Sequence, residues 1–369
     1  MILCSEIFIR NEADVALARH SAGETATRLG FSGQRRAEVR LIASELAHNH
    51  LDHKTFRGMI RISGQLYDQV PVLTICSLDK GPGISNVTDV LQGPQGGYRS
   101  LTGLGTGLAS VSRLANLFSC CSGTDPKCNC SAILGRQWKG TVITARCWPR
   151  EQAPFYFDRD DNMDIAALVC GRSETSPCGD GIFINSDSRF TRIVLVDSPG
   201  KGRGGGETEL IGQMVAKFDL IWPPDHVIES LAEVFAAEPA TSVFVLRFDQ
   251  LLGELRCCRT GNVDIHLLVD GRLAALPGQL AVEGGHMIRG TDTVYKVSDT
   301  VSCLLHSDGV TIFSRQQIQS LLIELQAAEE SVTGISRFDH ALLAQILFSR
   351  NRQPYDDAAL CLWSWQRKK

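Results

Sequence analysis

The chain has 369 residues, 43% of them apolar and 21% charged, which is the composition of a protein with buried cores and excludes a disordered or fibrous chain. Its 37 basic and 41 acidic side chains leave a formal charge of -4, without the cationic excess that neutralises a run of phosphates, so nucleic acid is not expected as a partner. No apolar run reaches the roughly 18 residues that span a bilayer, and residues 1–10 (MILCSEIFIR), interrupted by Glu6, lack a basic leader and a small-residue cleavage site; the expectation is a cytoplasmic protein with no membrane partner.

In chain order, the segment 35–50 (RRAEVRLIASELAHNH) places Val39, Ile42, Ala43 and Leu46 on one helical stripe. Glu45 and Asn49, four residues apart, share a neighbouring face, where a carboxylate and an amide oxygen suit a magnesium ion and a water or hydroxyl to be activated. An exposed polar face would carry the same pair. His48, His50 and His53 at the helix end are better explained as surface or core histidines than as a metal site. Segment 72–78 (VLTICSL) reads as a buried strand running into Asp79-Lys80-Gly81-Pro82-Gly83-Ile84. Glycines there allow positive φ and close backbone approach to a ligand, and an Asp at a strand end can accept a hydrogen bond from an amino group such as that of adenine. A plain turn uses the same residues. Farther on, Thr102-Gly103-Leu104-Gly105-Thr106-Gly107 opens into 108–118 (LASVSRLANLF), which has helical periodicity. A glycine turn at a helix N-terminus offers free N–H groups to a phosphate. The chain carries no Walker A lysine pattern and nothing that favours a Rossmann site. An alternating β-branched run at 139–146 closes the segment.

The ordered set Glu45-x3-Asn49, Asp79-x-Gly81-x-Gly83 and Gly103-x-Gly105-x-Gly107, followed by Gly140-Thr141, resembles the GHKL ATPase superfamily. It is most similar to the small anti-sigma-factor and switch serine/threonine kinases, through SELAHNHLDH, DKGPGI and GLGTGLASVSRLANLF. The resemblance covers nearly all of residues 5–148 and implies an ATP site with Mg2+. By that likeness Glu45 is the catalytic base, Asn49 the magnesium ligand and Asp79 the adenine contact. Gly81 and Gly83 are further nucleotide-binding positions, Gly103, Gly105 and Gly107 form the phosphate lid, and Thr141 supports the adenine pocket. A sensor histidine kinase is disfavoured, because residues 1–34 are too few to supply a dimerising phospho-acceptor helix.

Residues 149–164, with two prolines at 149 and 154 and a charge cluster, read as a linker between a domain at 1–148 and another at 165–369. Short β-rich runs follow at 165–169, 182–185, 192–196, 242–248, 265–269 and 301–306, with helical spacing at 207–218 and 314–328, which predicts an α+β domain. Four aspartate turns recur: Gly179-Asp180-Gly181, Asp197-Ser198-Pro199-Gly200, Ser307-Asp308-Gly309 and Asp356-Asp357. Carboxylates gathered at strand ends form a negative cluster that favours hard divalent ions such as magnesium or manganese, although Asp-Gly and Asp-Asp are also ordinary turn residues.

As a set these turns resemble the SpoIIE-type branch of the protein phosphatase 2C superfamily, over about residues 165–365 and including Thr260-Gly261-Asn262. The resemblance implies an αββα sandwich beside the N-terminal GHKL α/β sandwich. It assigns Asp180, Asp197, Asp308 and Asp356 to two Mn2+ or Mg2+ ions, with the Ser198 carbonyl and Asp357 as further candidates. The implied substrate is a phosphoserine or phosphothreonine on a protein, and the implied partners are a STAS-type anti-sigma antagonist, a sigma factor or a related signalling protein. The chain departs from that pattern at Gly200-Lys201-Gly202, where the family has GHG, and at Ala359, where it has threonine; the basic loop 201–206 could meet the substrate phosphate instead.

Thirteen cysteines, an odd number without a secretory signal, favour reduced thiols over a disulfide framework. Cys120, Cys121, Cys128 and Cys130 could hold zinc, but the two-residue spacing usual within each pair is absent, and incidental thiols are the plainer reading.

Overall fold

The computed structural model describes residues 3–53, 55, 57–92, 107–126, 139–154, 163–172, 178–198, 204–231, 241–261, 263–275, 279–280, 282–283, 286–287, 292–311, 315–327 and 339–367. Two helices follow the first strand of the first unit. α1 (Glu12–Arg28) starts at a capping box in which the Asn11 side chain accepts from the Ala13 and Asp14 amides and Asp14 accepts from the Asn11 amide, satisfying N–H groups that a helix start leaves open. α2 (Gly33–Asp52) is capped by Ser32 and carries Glu45 and Asn49. Val39, Ile42, Ala43 and Leu46 are fully buried, as the helical stripe requires, against Val15, Ala18 and Ala22 of α1 and Ile60, Ile62, Leu73 and Ile75 of the sheet below.

That sheet comprises β1 (Leu3–Phe8), β2 (Met59–Tyr67), β3 (Val70–Leu78), β4 (Leu117–Ser122) and β5 (Thr141–Cys147), paired antiparallel in the order β1-β2-β3-β5-β4. Two further helices, α3 (Val87–Gln92) and α4 (Gly107–Leu114), complete the helical layer. The expected helix at 108–118 is thus shorter: it gives way to β4, because Phe118 and Cys120 pack under the helices while Cys121 points to the opposite face.

The second unit stacks two sheets. One contains β7 (Gly181–Ser186), β8 (Phe190–Asp197), β9 (Ser242–Asp249) and β10 (Glu254–Thr260); the other contains β6 (Met163–Cys170), β11 (Asp264–Val269), β17 (Thr300–His306) and β18 (Ala358–Gln366). Five short strands follow β11: β12 (Arg272–Leu273), β13 (Gln279–Leu280), β14 (Val282–Glu283), β15 (His286–Met287) and β16 (Thr293–Lys296), and β14 pairs only with β15 among the described strands. Phe244, Phe248, Leu255, Ile265, Leu305, Trp363 and their neighbours fill the space between the sheets. α5 (Gly204–Val215) and α6 (Pro224–Ser230) cover the outer face of the first sheet, and α7 (Arg315–Ala327) and α8 (His340–Asn351) that of the second. The layers are helix, sheet, sheet, helix, so the chain is α+β with an α/β sandwich followed by an αββα sandwich.

The units are joined side by side. Tyr67 at the end of β2 pairs with Ile184 of β7, which runs the first sheet into the first sheet of the second unit. α8 lies against both units: Leu343, Leu347 and Phe348 pack on β6 and β18, and Leu342 and Ile346 pack on Cys76, Cys121 and Val142 of the first sheet. Arg146 of β5 and Ser119 of β4 bind the Asp339 carboxylate, which also caps α8. Cys4 and Cys170 form a disulfide between β1 and β6, Cα atoms 5.2 Å apart, which corrects the expectation of reduced thiols; the fold brings together two residues separated by 166 positions. Cys76, Cys120, Cys147, Cys257, Cys258, Cys303 and Cys361 are free and buried. Among the described residues no helix is long and apolar enough to cross a membrane.

Candidate functional site

In the first unit α2, the end of β3, the start of β5 and the N-terminus of α4 converge. Gly107 begins α4 directly against α2: a Cβ on it would lie 2.8 Å from a Glu45 carboxylate oxygen and 4.0 Å from the Asn49 amide oxygen. A helix N-terminus, with its open N–H groups and positive dipole end, therefore faces the carboxylate and amide of α2. Asp79, buried at the end of β3, accepts from the Gly81 amide at 2.6 Å and the Thr141 amide at 3.3 Å. Burial pushes its carboxyl above the ordinary carboxylate range, and the two amides and His53 oppose that. Gly83 adopts φ +77°, and a Cβ there would sit 2.1 Å from the Lys139 carbonyl oxygen, so glycine alone fits this turn. Gly140 is as constrained, its Cβ position 1.9 Å from the Asp79 carbonyl oxygen. Glu45, Asn49, Asp79, Gly81, Gly83, Gly107 and Thr141 thus share one region; Gly103 and Gly105 lie outside the described residues.

His50 is a core group: its ring nitrogens contact the hydroxyls of Ser77 at 3.0 Å and Thr55 at 2.9 Å, and burial lowers its pKa to about 4. His48 meets Glu12 at 3.3 Å on the surface. Of the cysteine cluster, Cys120 is a buried free thiol pushed up by burial, a poor thiolate ligand, and Cys121 is disulfide-bonded; Cys128 and Cys130 lie outside the described residues.

In the second unit the four aspartate turns meet at one end of the two stacked sheets. Asp180 precedes β7 and Asp197 ends the adjacent β8; Asp308 follows β17, and Asp356 and Asp357 precede its neighbour β18. Ser307 bridges the sheets, donating to Asp180 at 2.6 Å while its hydroxyl accepts from the Ala359 amide at 2.9 Å. Asp180 is held well above the ordinary carboxylate range by burial, then by Asp197, with Asp357 and Asp308 adding to the effect. Asp197 is pushed up to about 6 by burial, then by Asp308, with Asp356 and Asp357 behind it; the Asp308 amide, which donates to it, opposes the shift. Burial and Asp356 raise Asp308 as well. These carboxylates repel one another where the ends of the two sheets meet, an arrangement that a bound cation would relieve.

Asp357 behaves differently from Asp356. Its two carboxylate oxygens accept the amides of Arg172 at 2.7 Å and Gly179 at 2.8 Å, so it ties two loops to the acidic cluster, whereas Asp356 is exposed. Ser198 is buried, with its hydroxyl 3.1 Å from that of Thr241. Among the described residues no three His, Cys, Asp or Glu side chains are grouped closely enough to hold a metal ion as they stand. The hard oxygen donors and their mutual repulsion suit Mn2+ or Mg2+, and Asp180, Asp197, Asp308 and Asp356 are the residues that would hold such an ion. Gly261, with φ +66°, turns the chain after β10 beneath Ser242, while Asn262 and the basic residues 201–203 lie outside the described residues. Sequence reasoning missed Ser307 as the link between sheets; its place before Asp308, at a strand end, was the available signal.

No family model matches the chain. Among solved structures, RsbX in complex with magnesium is matched over 57% of this chain and 98% of its own at 16% identity and a TM-score of 0.44. The catalytic domain of the phosphatase PstP in complex with two manganese ions is matched over 56% and 99%, at 15% identity and 0.39. At those scores the likenesses carry no argument about chemistry, and the architecture of the second unit rests on its own layers. Over 111 residues the chain is 33% identical to the serine/threonine-protein kinase RsbT of Bacillus subtilis (strain 168), which covers 30% of this chain and 80% of RsbT. Through that segment the chain belongs to the family of the serine/threonine-protein kinase RsbT.

Proposed function

We propose that this chain is a partner-switching regulator with two sites: it binds ATP with Mg2+ in the first unit and removes phosphate from a phosphoserine or phosphothreonine of a partner protein in the second. The observation that carries the reading is the convergence of Asp180, Asp197, Asp308 and Asp356, from four separate turns, at one end of the stacked sheets, where neighbouring carboxylates raise the proton affinity of Asp180, Asp197 and Asp308. The partner is a phosphorylated STAS-type anti-sigma antagonist, a sigma factor or a related signalling protein.

In the first unit Asp79, fixed by the Gly81 and Thr141 amides, accepts from the adenine amino group. The open N–H groups of α4 receive the phosphates, Asn49 offers an oxygen to Mg2+, and Glu45 stands where a hydroxyl must lose its proton. In the second unit Asp180, Asp197, Asp308 and Asp356 would hold the divalent ions, joined by the Ser198 carbonyl. Bound Mn2+ or Mg2+ supplies Lewis-acid polarisation of the phosphoryl oxygens and a more acidic water. Ser307 keeps Asp180 oriented between the sheets, and Asp357 holds the flanking loops.

The test is release of phosphate from a phosphoserine-bearing partner, or from p-nitrophenyl phosphate, with and without Mn2+. The intact chain is expected to be Mn2+-dependent, and Asp197→Asn with Asp308→Asn is expected to lower the rate by roughly 100-fold or more. Undiminished activity in the double variant would remove the assigned site. A second reading, in which the first unit only senses nucleotide and governs the second, is favoured by α8, which rests on the strands carrying Asp79 and Thr141. Transfer of label from γ-labelled ATP to a partner serine separates a kinase from a sensor.

A further inference from the structure

The last turn of α8 and the loop after it build one wall of the acidic cluster. The Thr311 amide donates to the Asn351 carbonyl at 2.6 Å, the Gln353 amide to the Gly309 carbonyl at 2.8 Å, and the Gln353 side chain to the Asp308 carbonyl at 3.2 Å. Arg352, at the C-cap of α8, pairs with Val310 through its backbone. Its guanidinium reaches in two directions. One nitrogen donates to the Gly171 carbonyl at 2.8 Å, in the residue preceding Arg172, whose amide is held by Asp357. The other donates to Glu6 of β1 at 2.8 Å, across the boundary between the units.

Glu6 is itself fixed. Arg61 of β2 donates to it at 2.7 Å, and the two guanidinium groups lie over the Phe348 ring at 5.0 and 5.6 Å. Burial raises the Glu6 carboxyl, but Arg61 and Arg352 outweigh it and keep Glu6 ionised. Arg352 is thus a fork with one tine on the first unit and one on the loop that Asp357 anchors, a two-point grip that a single ammonium cannot reproduce.

Resting on the phosphatase reading of the second unit, we propose that Glu6 and Arg352 are positioning residues for the acidic site: the first unit sets the geometry of the divalent-ion ligands in the second through this pair. Neither side chain belongs to the acidic cluster. Their effect passes through the loops 171–172 and 308–311, which carry Asp308 and hold Asp357 in place.

The test is calorimetric titration of the full chain with Mn2+ alone, together with Mn2+-dependent hydrolysis of p-nitrophenyl phosphate, for Glu6→Gln, Arg352→Lys, Arg352→Met and Ser349→Ala. Ser349 accepts from Arg61 at 3.0 Å on the same interface and has no hydrogen bond to the Arg352 guanidinium among the described residues, so it reports plain loosening of the interface. Glu6→Gln and Arg352→Met are expected to weaken Mn2+ binding by roughly 10-fold, with KM at saturating Mn2+ moving by less than about twofold. Arg352→Lys should recover part of the loss, and Ser349→Ala should titrate as the parent chain does. If folded Glu6→Gln and Arg352→Lys bind Mn2+ like the parent, the positioning role is overturned while the phosphatase reading stands. If the parent chain takes up no Mn2+, the phosphatase reading falls and the positioning role falls with it. Should Arg352→Met fail to fold, the other two substitutions decide.

Discussion

At the scale of single residues, the two sites use carboxylates in opposite ways. Asp79 has its partners already, two amides, and retains an acceptor face for a ligand amino group. Replacing it by Asn would turn one acceptor into a donor facing the same group. Asp79→Asn is therefore expected to weaken ATP binding by about 10- to 100-fold, the equivalent of one charge-assisted hydrogen bond, with little change in melting temperature. Equilibrium titration with a fluorescent ATP analogue checks this. Asp197 has the Asp308 amide as a partner, but burial and then the Asp308 carboxylate outweigh it and push it to about 6 from the ordinary 3.8. A carboxyl raised in the folded state favours folding while it is protonated, so its contribution is complete below about pH 4 and is lost as pH rises through 6. His50 works in the reverse sense over an overlapping window: with its pKa lowered to about 4 from 6.5, it supports the fold above 6.5 and less as pH falls towards 4. The rise in melting temperature produced by Mn2+ isolates the acidic cluster from His50. It should be larger at pH 7, where the cluster is charged and repulsive, than at pH 5, where protons compete for the same oxygens. Equal rises at both values would contradict the assignment.

At the scale of elements, the strands and helices that carry the sites were legible from the chain itself. The stripe at Val39, Ile42, Ala43 and Leu46 is the buried face of α2, and the run at 72–78 is β3 with Asp79 at its end. The expected β-rich runs correspond to β6 to β9, β11 and β17, because alternating or continuous apolar residues between turn signals leave few other ways to be buried. α1 was not read: its apolar residues are mostly alanines, which give a weak periodic signal yet let α2 approach closely. α8 was not read either, because burial on both sides removes the polar face that marks a surface helix. Ser307, Arg352 and the Glu6 contact depend on tertiary proximity between segments up to 346 positions apart, which no local pattern encodes.

At the scale of the whole molecule, the expected linker does not make the two units independent. They share α8, the Arg146–Asp339 and Arg352–Glu6 pairs and the β2–β7 pairing. Shared burial of this kind couples unfolding, so calorimetry of the full chain should show one transition instead of two. Leu342, 1% exposed between the first sheet and α8, offers a direct probe. Leu342→Ala should cost about 2–5 kcal/mol and lower the melting of both units together. Two separated transitions, with only one displaced by the substitution, would show that the units fold apart.

The most direct measurement follows one phosphate through the full chain. A STAS-domain partner is incubated with the protein, Mg2+ and γ-labelled ATP; remaining ATP is then removed and Mn2+ added, and the partner serine and free phosphate are counted. The account predicts label on the partner or, if the first unit only senses nucleotide, ATP bound without transfer. In either case it predicts Mn2+-dependent release of phosphate from a partner phosphorylated beforehand, abolished by Asp197→Asn with Asp308→Asn. A chain that leaves the phosphorylated partner intact at every Mn2+ concentration would contradict it.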